Sequence, residues 1–191
     1  MRRMPQLVLI VTTLASAWLL MQSVHELGHV LAGWLTGGDV LRVVLHPLTI
    51  SRTDLGTNPS PLIVCWAGPL VGALAPLVVW SVAESRHSAC AYWLKFFAGF
   101  CLIANGAYLS IGAREGIGDA GDLLKLGAPA WVLYLFGAST IPLGFWLWNG
   151  LGPRFGLGAD GDPITWRAAW LSTAVLVTTM AVEVACGIAW R

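Results

Sequence analysis

Long apolar runs alternate along this chain with short breaks marked by glycine, proline or charge, and the lengths of the runs set the architecture. The first run, residues 5–35, would be roughly 46 Å long as one helix, against a hydrocarbon core of ~30 Å. It must tilt, protrude or break. Thr36-Gly37-Gly38-Asp39 stops it. The next stretch changes period: residues 40–45 and 48–52 are short, β-branched and partly alternating, with His46-Pro47 between them. They read as a short hairpin or re-entrant strand pair, and equally as an ordinary loop lying on the membrane.

Residues 61–83 form a second apolar span, closed by the polar turn Glu84-Ser85-Arg86-His87-Ser88. A third runs from 89 to about 112, interrupted at Asn105-Gly106, and passes into a glycine-rich break that carries Glu115, Asp119 and Asp122 before Leu123. The fourth, 128–149, has Pro142 as an expected kink. After a Gly/Pro-rich loop over 150–165, in which Asp160 and Asp162 read as solvated turn residues, the fifth span covers 166–190. Trp166, Trp170 and Trp190 bracket it as interface anchors. The expected fold is all-α and polytopic: about five transmembrane helices, a short β-hairpin or re-entrant strand after the first, and a Gly-rich break after the third. One integral-membrane domain, 1–191, would have its core at 5–126 and additional helices at 128–149 and 166–190.

Composition supports a lipid solvent. The chain is 57% hydrophobic and 11% charged, where soluble proteins carry about 25% charged residues. A net charge of +1 with no basic run excludes a nucleic-acid partner. The basic residues divide evenly between alternate loops, so they assign no orientation. Cys65, Cys90, Cys101 and Cys186 show no C-x-x-C pairing and read as small core residues. Met1-Arg2-Arg3 before an apolar run has the form of a signal peptide. Because the run continues to Leu35, cleavage would destroy or strand the most informative motif in the chain.

That motif is His25-Glu26-Leu27-Gly28-His29. A helix places i and i+4 on one face, so His25 and His29 can offer two imidazoles to one cation with Glu26 beside them. Neutral imidazole suits zinc, and a catalytic zinc keeps one position for water. The pKa of that water falls to about 7, and a neighbouring Glu can accept its proton. The bland alternative is a pair of packed histidines. Ionisable groups inside a membrane segment, however, are costly and functional by default. His25 lies roughly 15 Å and His29 roughly 9 Å from the Leu35 end, so the motif should sit below the membrane surface and be reached by water through a cavity.

Two ligands do not complete a zinc site. The carboxylate-bearing break after the third span is what a third ligand would need, since irregular backbone at membrane depth is tolerated where protein or a wet cavity buries it. A solvated interhelical loop is the other reading. His46, in a loop before proline, is a substitute ligand or a plain polar loop residue. Glu183, inside the last span, faces either the interior or the membrane edge and is assigned no role. Ala32 and Leu35 stand where a metzincin extension would require glycine and histidine.

With His25-Glu26-Leu27-Gly28-His29 in the first span, Ala67-Gly68-Pro69 in the second, and Asn105 followed by Gly118-Asp119-Ala120-Gly121-Asp122 in the third, the chain resembles the site-2 protease family of intramembrane zinc metalloproteases. The resemblance implies a peptide hydrolase acting on membrane-embedded or membrane-proximal segments of other proteins. It implies Zn2+ held by His25, His29 and Asp119, with Asp122 as the runner-up. Glu26 would be base and then acid, and Asn105 would contact substrate backbone. The chain departs from the family pattern in having Gly72 or a neighbour where an asparagine is frequent, in lacking a proline between Asn105 and the aspartate, and in having Ala120 after Asp119.

Two functions follow from different classes. The first is an intramembrane zinc metalloendopeptidase in a multi-pass protein of the cell membrane, with a membrane-protein substrate, the lipid bilayer and a regulatory membrane partner as its expected contacts. The alternative is a non-proteolytic scaffold or a metal-binding or transport protein on the same fold. Simple zinc binding has no need of Glu26, so the intact motif favours chemistry.

Overall fold

A computed structural model describes residues 3–189. Among these the chain forms α1 (Met4–Leu35), a two-stranded antiparallel sheet of β1 (Val40–Val44) and β2 (Arg52–Leu55), then α2 (Pro61–Ser85), α3 (Ala91–Glu115), the short α4 (Gly118–Lys125), α5 (Ala130–Trp148), a 3-10 turn (Gly152–Phe155) and α6 (Trp166–Ala189). All of these helices except α4 are long and apolar enough to cross a membrane. Along α1, Leu7, Val11, Leu14 and Trp18 form an exposed stripe at helical spacing. Its opposite side buries Leu9, Thr13, Ser16, Ala17, His25, Glu26, Gly28 and His29. A helix apolar all round, with its polar groups turned inward, has lipid as its outer solvent. The expected anchors Trp166 and Trp170 are exposed and stacked at 5.9 Å; Trp190 lies outside the described residues.

The helices pack in the order α6, α1, α2, α3, α5. Small residues set the closest approaches. Gly106 of α3 and Gly137 of α5 face each other so tightly that a Cβ on Gly137 would come 2.8 Å from the Gly106 carbonyl. Such contacts drive association where lipid removes the hydrophobic incentive. Helix α6 runs parallel to α1: the Ser172 hydroxyl sits 2.9 Å from Thr12 Oγ1 and 3.0 Å from Thr13 Oγ1, and Ser23 donates to Glu183 further along.

Several expected boundaries shift. The second strand is Arg52–Leu55, not 48–52, paired Val43 to Thr53 and Val44 to Arg52. Residues 46–49 turn instead, Thr49 N–H donating to the His46 carbonyl at 3.0 Å. Leu48 and Ile50, whose alternation imitates a strand, are 87% and 88% exposed at the tip of this loop. Asn105-Gly106 does not interrupt α3: Asn105 Nδ2 donates to the Cys101 carbonyl at 2.9 Å, and Gly106 seats the α5 contact. Pro142 falls within α5 without ending it. The glycine-rich break is brief. Helix α3 closes at Gly116 in a left-handed conformation, φ 69°, and α4 begins two residues later. Of the cysteines read as core residues, Cys101 is buried, Cys65 and Cys186 are half-buried and Cys90 is exposed. Cys90 lies in the turn between α2 and α3, which no helix covers.

Candidate metal centre

His25 and His29 stand one turn apart on the inner face of α1, with ring centroids 4.9 Å apart. The turn between α3 and α4 brings Asp119 to them from 94 residues away. Asp119 Oδ2 lies 2.8 Å from His25 Nε2 and 3.3 Å from His29 Nε2, and the two Nε2 atoms are 3.2 Å apart. Helix α2 makes room for this. A Cβ on Gly68 would strike both imidazoles, and one on Gly28 would strike the Ala67 carbonyl, so α1 and α2 meet glycine to backbone at the site.

The outer ring nitrogens are committed. His25 Nδ1–H donates to Asn105 Oδ1 and His29 Nδ1–H to the Val64 carbonyl, both at 2.8 Å. These partners can only accept, so each neutral ring carries its proton on Nδ1 and turns an Nε2 lone pair inward. Two lone pairs and a carboxylate oxygen converging within hydrogen-bond distance require a positive charge among them, from a proton or a metal cation. The fit to a metal is good. Tetrahedral ligands at 2.0–2.2 Å from a zinc ion stand about 3.3–3.6 Å apart, near two of the separations, 3.2 and 3.3 Å, while the His25–Asp119 pair at 2.8 Å would open by about half an ångström. Burial alone would push the Asp119 carboxyl up; where the positive charge is a proton on a histidine Nε2, the hydrogen bonds and charge of His25 and His29 outweigh burial and hold the group well below the usual carboxylate range.

Glu26 is 4% exposed and accepts a hydrogen bond from Thr53 Oγ1 at 2.7 Å, which ties it to β2. It lines a cavity of about 630 Å³ with His25, His29, Asp119, Thr53 and Tyr108, whose mouth carries Arg52, Asp54 and Lys125. A second cavity of about 500 Å³ shares His25, Glu26 and Tyr108 and runs between α1 and α3, past Trp18, Met21, Ala104 and Ile111. The histidine motif thus lies between a polar mouth and an apolar cleft.

Of the other candidates, Asp122 and His46 stand apart from this trio, whereas Asn105 touches it through His25. Asp122 pairs with Lys125 at 2.8 Å, its side chain 61% exposed at the cavity mouth. His46 accepts from Leu48 N–H in the hairpin loop. Asn105 is buried between His25 and the Cys101 carbonyl. Thr53, the Val64 carbonyl and Tyr108 were not among the expected residues. Of these only Tyr108 carries a sequence signal, its place three residues after Asn105 on the same helical face.

The model of the family described as Peptidase M50B-like matches residues 6–115, more than half of the chain. The chain belongs to this family. The match spans α1 to the end of α3, hence the histidine motif, Gly68 and Asn105, and stops before Asp119. No curated protein and no solved structure matches the chain. Membership and the five apolar helices together describe a multi-pass membrane protein of a peptidase family, in keeping with the resemblance to site-2 proteases.

Proposed function

We propose that this Peptidase M50B-like protein is an intramembrane zinc metalloendopeptidase that hydrolyses peptide bonds in or near transmembrane segments of other membrane proteins, in the cell membrane. The convergence of His25 Nε2, His29 Nε2 and Asp119 Oδ2 beside the Glu26 carboxylate carries this reading. Bound there, zinc would polarise the scissile carbonyl and lower the pKa of water. The chain's own residues do the rest. Asn105 and the Val64 carbonyl fix the imidazole tautomers. Thr53 occupies Glu26 Oε2 and leaves Oε1 to take a proton from the attacking water. Glu26 then returns that proton to the amide nitrogen as the C–N bond breaks. The apolar cleft between α1 and α3 admits a substrate from lipid, and the polar mouth admits water.

The test is zinc content and hydrolysis of purified protein in detergent and in liposomes, wild type against Glu26→Gln. About one zinc per chain in both, with cleavage only in wild type, is the expected result. No zinc in folded wild type would refute the site, and equal cleavage by both proteins would refute the mechanism.

A further inference from the structure

Tyr108 is a polar group of this cavity that the steps above do not use. It lies on the α3 face that looks at α1, its ring edge-on to His25 with centroids 5.7 Å apart, and it lines both cavities that meet at Glu26. The hydroxyl is held from one side. Asp119 N–H donates to it at 3.1 Å, and the missing side chain of Gly118 leaves the space it fills, since a Cβ there would strike the phenol oxygen. A phenol has one proton to donate as well as lone pairs to accept. Here a lone pair is taken by the Asp119 amide, and among the described residues no acceptor takes the proton. The phenol oxygen is therefore held beside the Asp119 backbone, with its O–H free to turn toward a ligand, on the wall of the cavity that Glu26, His25 and Asp119 also line.

We propose that Tyr108 is a further catalytic residue, whose hydroxyl donates a hydrogen bond to the carbonyl oxygen of the scissile peptide and stabilises the negative charge that grows there as water adds. This rests on the metalloendopeptidase reading. The step moves no proton from Tyr108: the water oxygen bonds to the carbonyl carbon, the water proton goes to Glu26, the C=O electron pair moves onto oxygen, and the phenol O–H only holds that charge. When the oxyanion collapses, the C–N bond breaks, Glu26 protonates the nitrogen, and the Tyr108 hydrogen bond returns to ground-state strength. Fixed donors aimed at developing charge are worth more than mobile ones because they need not reorganise. The Asp119 amide supplies that fixing.

The experiment compares wild type, Glu26→Gln, Tyr108→Phe and a variant with p-aminophenylalanine at 108. The probe is a library of quenched-fluorescent peptides, each with an apolar segment of about 20 residues, reconstituted with the protein in liposomes. Zinc content and the affinity for acetohydroxamate, a small carbonyl-bearing zinc ligand, are read on the same samples. Tyr108→Phe should keep about one zinc, lower kcat by about 10²-fold with KM changed less than about threefold, and weaken acetohydroxamate. The aminophenyl variant, which keeps a donor in place, should recover much of the loss.

A Tyr108→Phe protein with wild-type kcat and hydroxamate affinity would overturn the inference while Glu26→Gln leaves the protease reading standing. Loss of zinc in Tyr108→Phe would also overturn it, making the phenol a support for Asp119 alone. If wild type and Glu26→Gln are equally inactive or equally active on the library, the protease reading falls and this inference with it.

Discussion

Two carboxylates are buried against α1 one turn apart, and they could hardly be used more differently. Glu26 is 4% exposed, has one oxygen on Thr53, and opens onto the cavity that holds His25, His29 and Asp119. Glu183 of α6 is 2% exposed and has one oxygen on Ser23, while the other is buried, has no hydrogen-bond partner among the described residues and lines none of the cavities described. Ionisable groups in a membrane helix are functional by default, yet burial is common to both. What separates them is an oxygen left free toward a space that water and a substrate can share. Lacking that, Glu183 is a contact between two helices.

The largest effect should come from Glu26→Gln, which keeps the shape and the Thr53 contact but removes the proton acceptor. Hydrolysis should fall by at least about 10³-fold while zinc stays near one per chain. Retained activity would put Glu26 in the same class as Glu183. Next come the three converging groups. His25→Ala and Asp119→Ala should each abolish tight zinc, measured by atomic absorption after gel filtration, whereas Asp122→Ala, paired with Lys125 at the mouth, should keep it. The opposite pattern for the two aspartates would move the third ligand and with it the comparison.

What was legible in the sequence was whatever one segment decides alone. Five apolar runs are long enough for a bilayer, and the chain makes five helices of that kind. The i, i+4 histidines needed only a helix to share a face. What required the fold was hidden. The strand at 52–55 is polar, and the apolar loop tip at Leu48 and Ile50 took its place in the pattern. Asn105-Gly106 reads as a break because its compensations, His25 and the α5 backbone, come from other helices. The short α4 was masked by glycines at 118 and 121, although it is what sets Asp119 in a fixed first turn. Thr53 had no local periodicity to mark it as a neighbour of Glu26, and the helical phase that Tyr108 shares with Asn105 does not point to Asp119, which another helix carries.

Asn105 sharpens the comparison at intermediate size. Its amide oxygen holds His25 Nδ1–H, so Asn105→Ala leaves a buried donor unpaired and the His25 ring free to turn. Groups in this position are worth about 10–100-fold in metal affinity or activity. Competition with a zinc chelator should show that loss, and Asn105→Asp, which keeps an acceptor, should recover most of it. If zinc affinity is unchanged and KM alone rises, Asn105 contacts substrate instead.

The smallest effect is expected where burial is deepest. Glu183→Gln is isosteric and keeps an oxygen for the Ser23 hydroxyl, so the α1–α6 contact survives. It also removes a carboxyl whose second oxygen has no partner, and an amide nitrogen there is no worse placed than that oxygen. The two changes nearly cancel. The thermal midpoint in detergent should move by no more than about 4 °C, the equivalent of ~1 kcal/mol, with zinc content and kcat within about twofold of wild type. A tenfold loss of activity at full zinc content would break the distinction, because it would show that α6 acts on the site through Ser23, two residues before His25. Burial would then matter as much as access in telling a working carboxylate from a packed one.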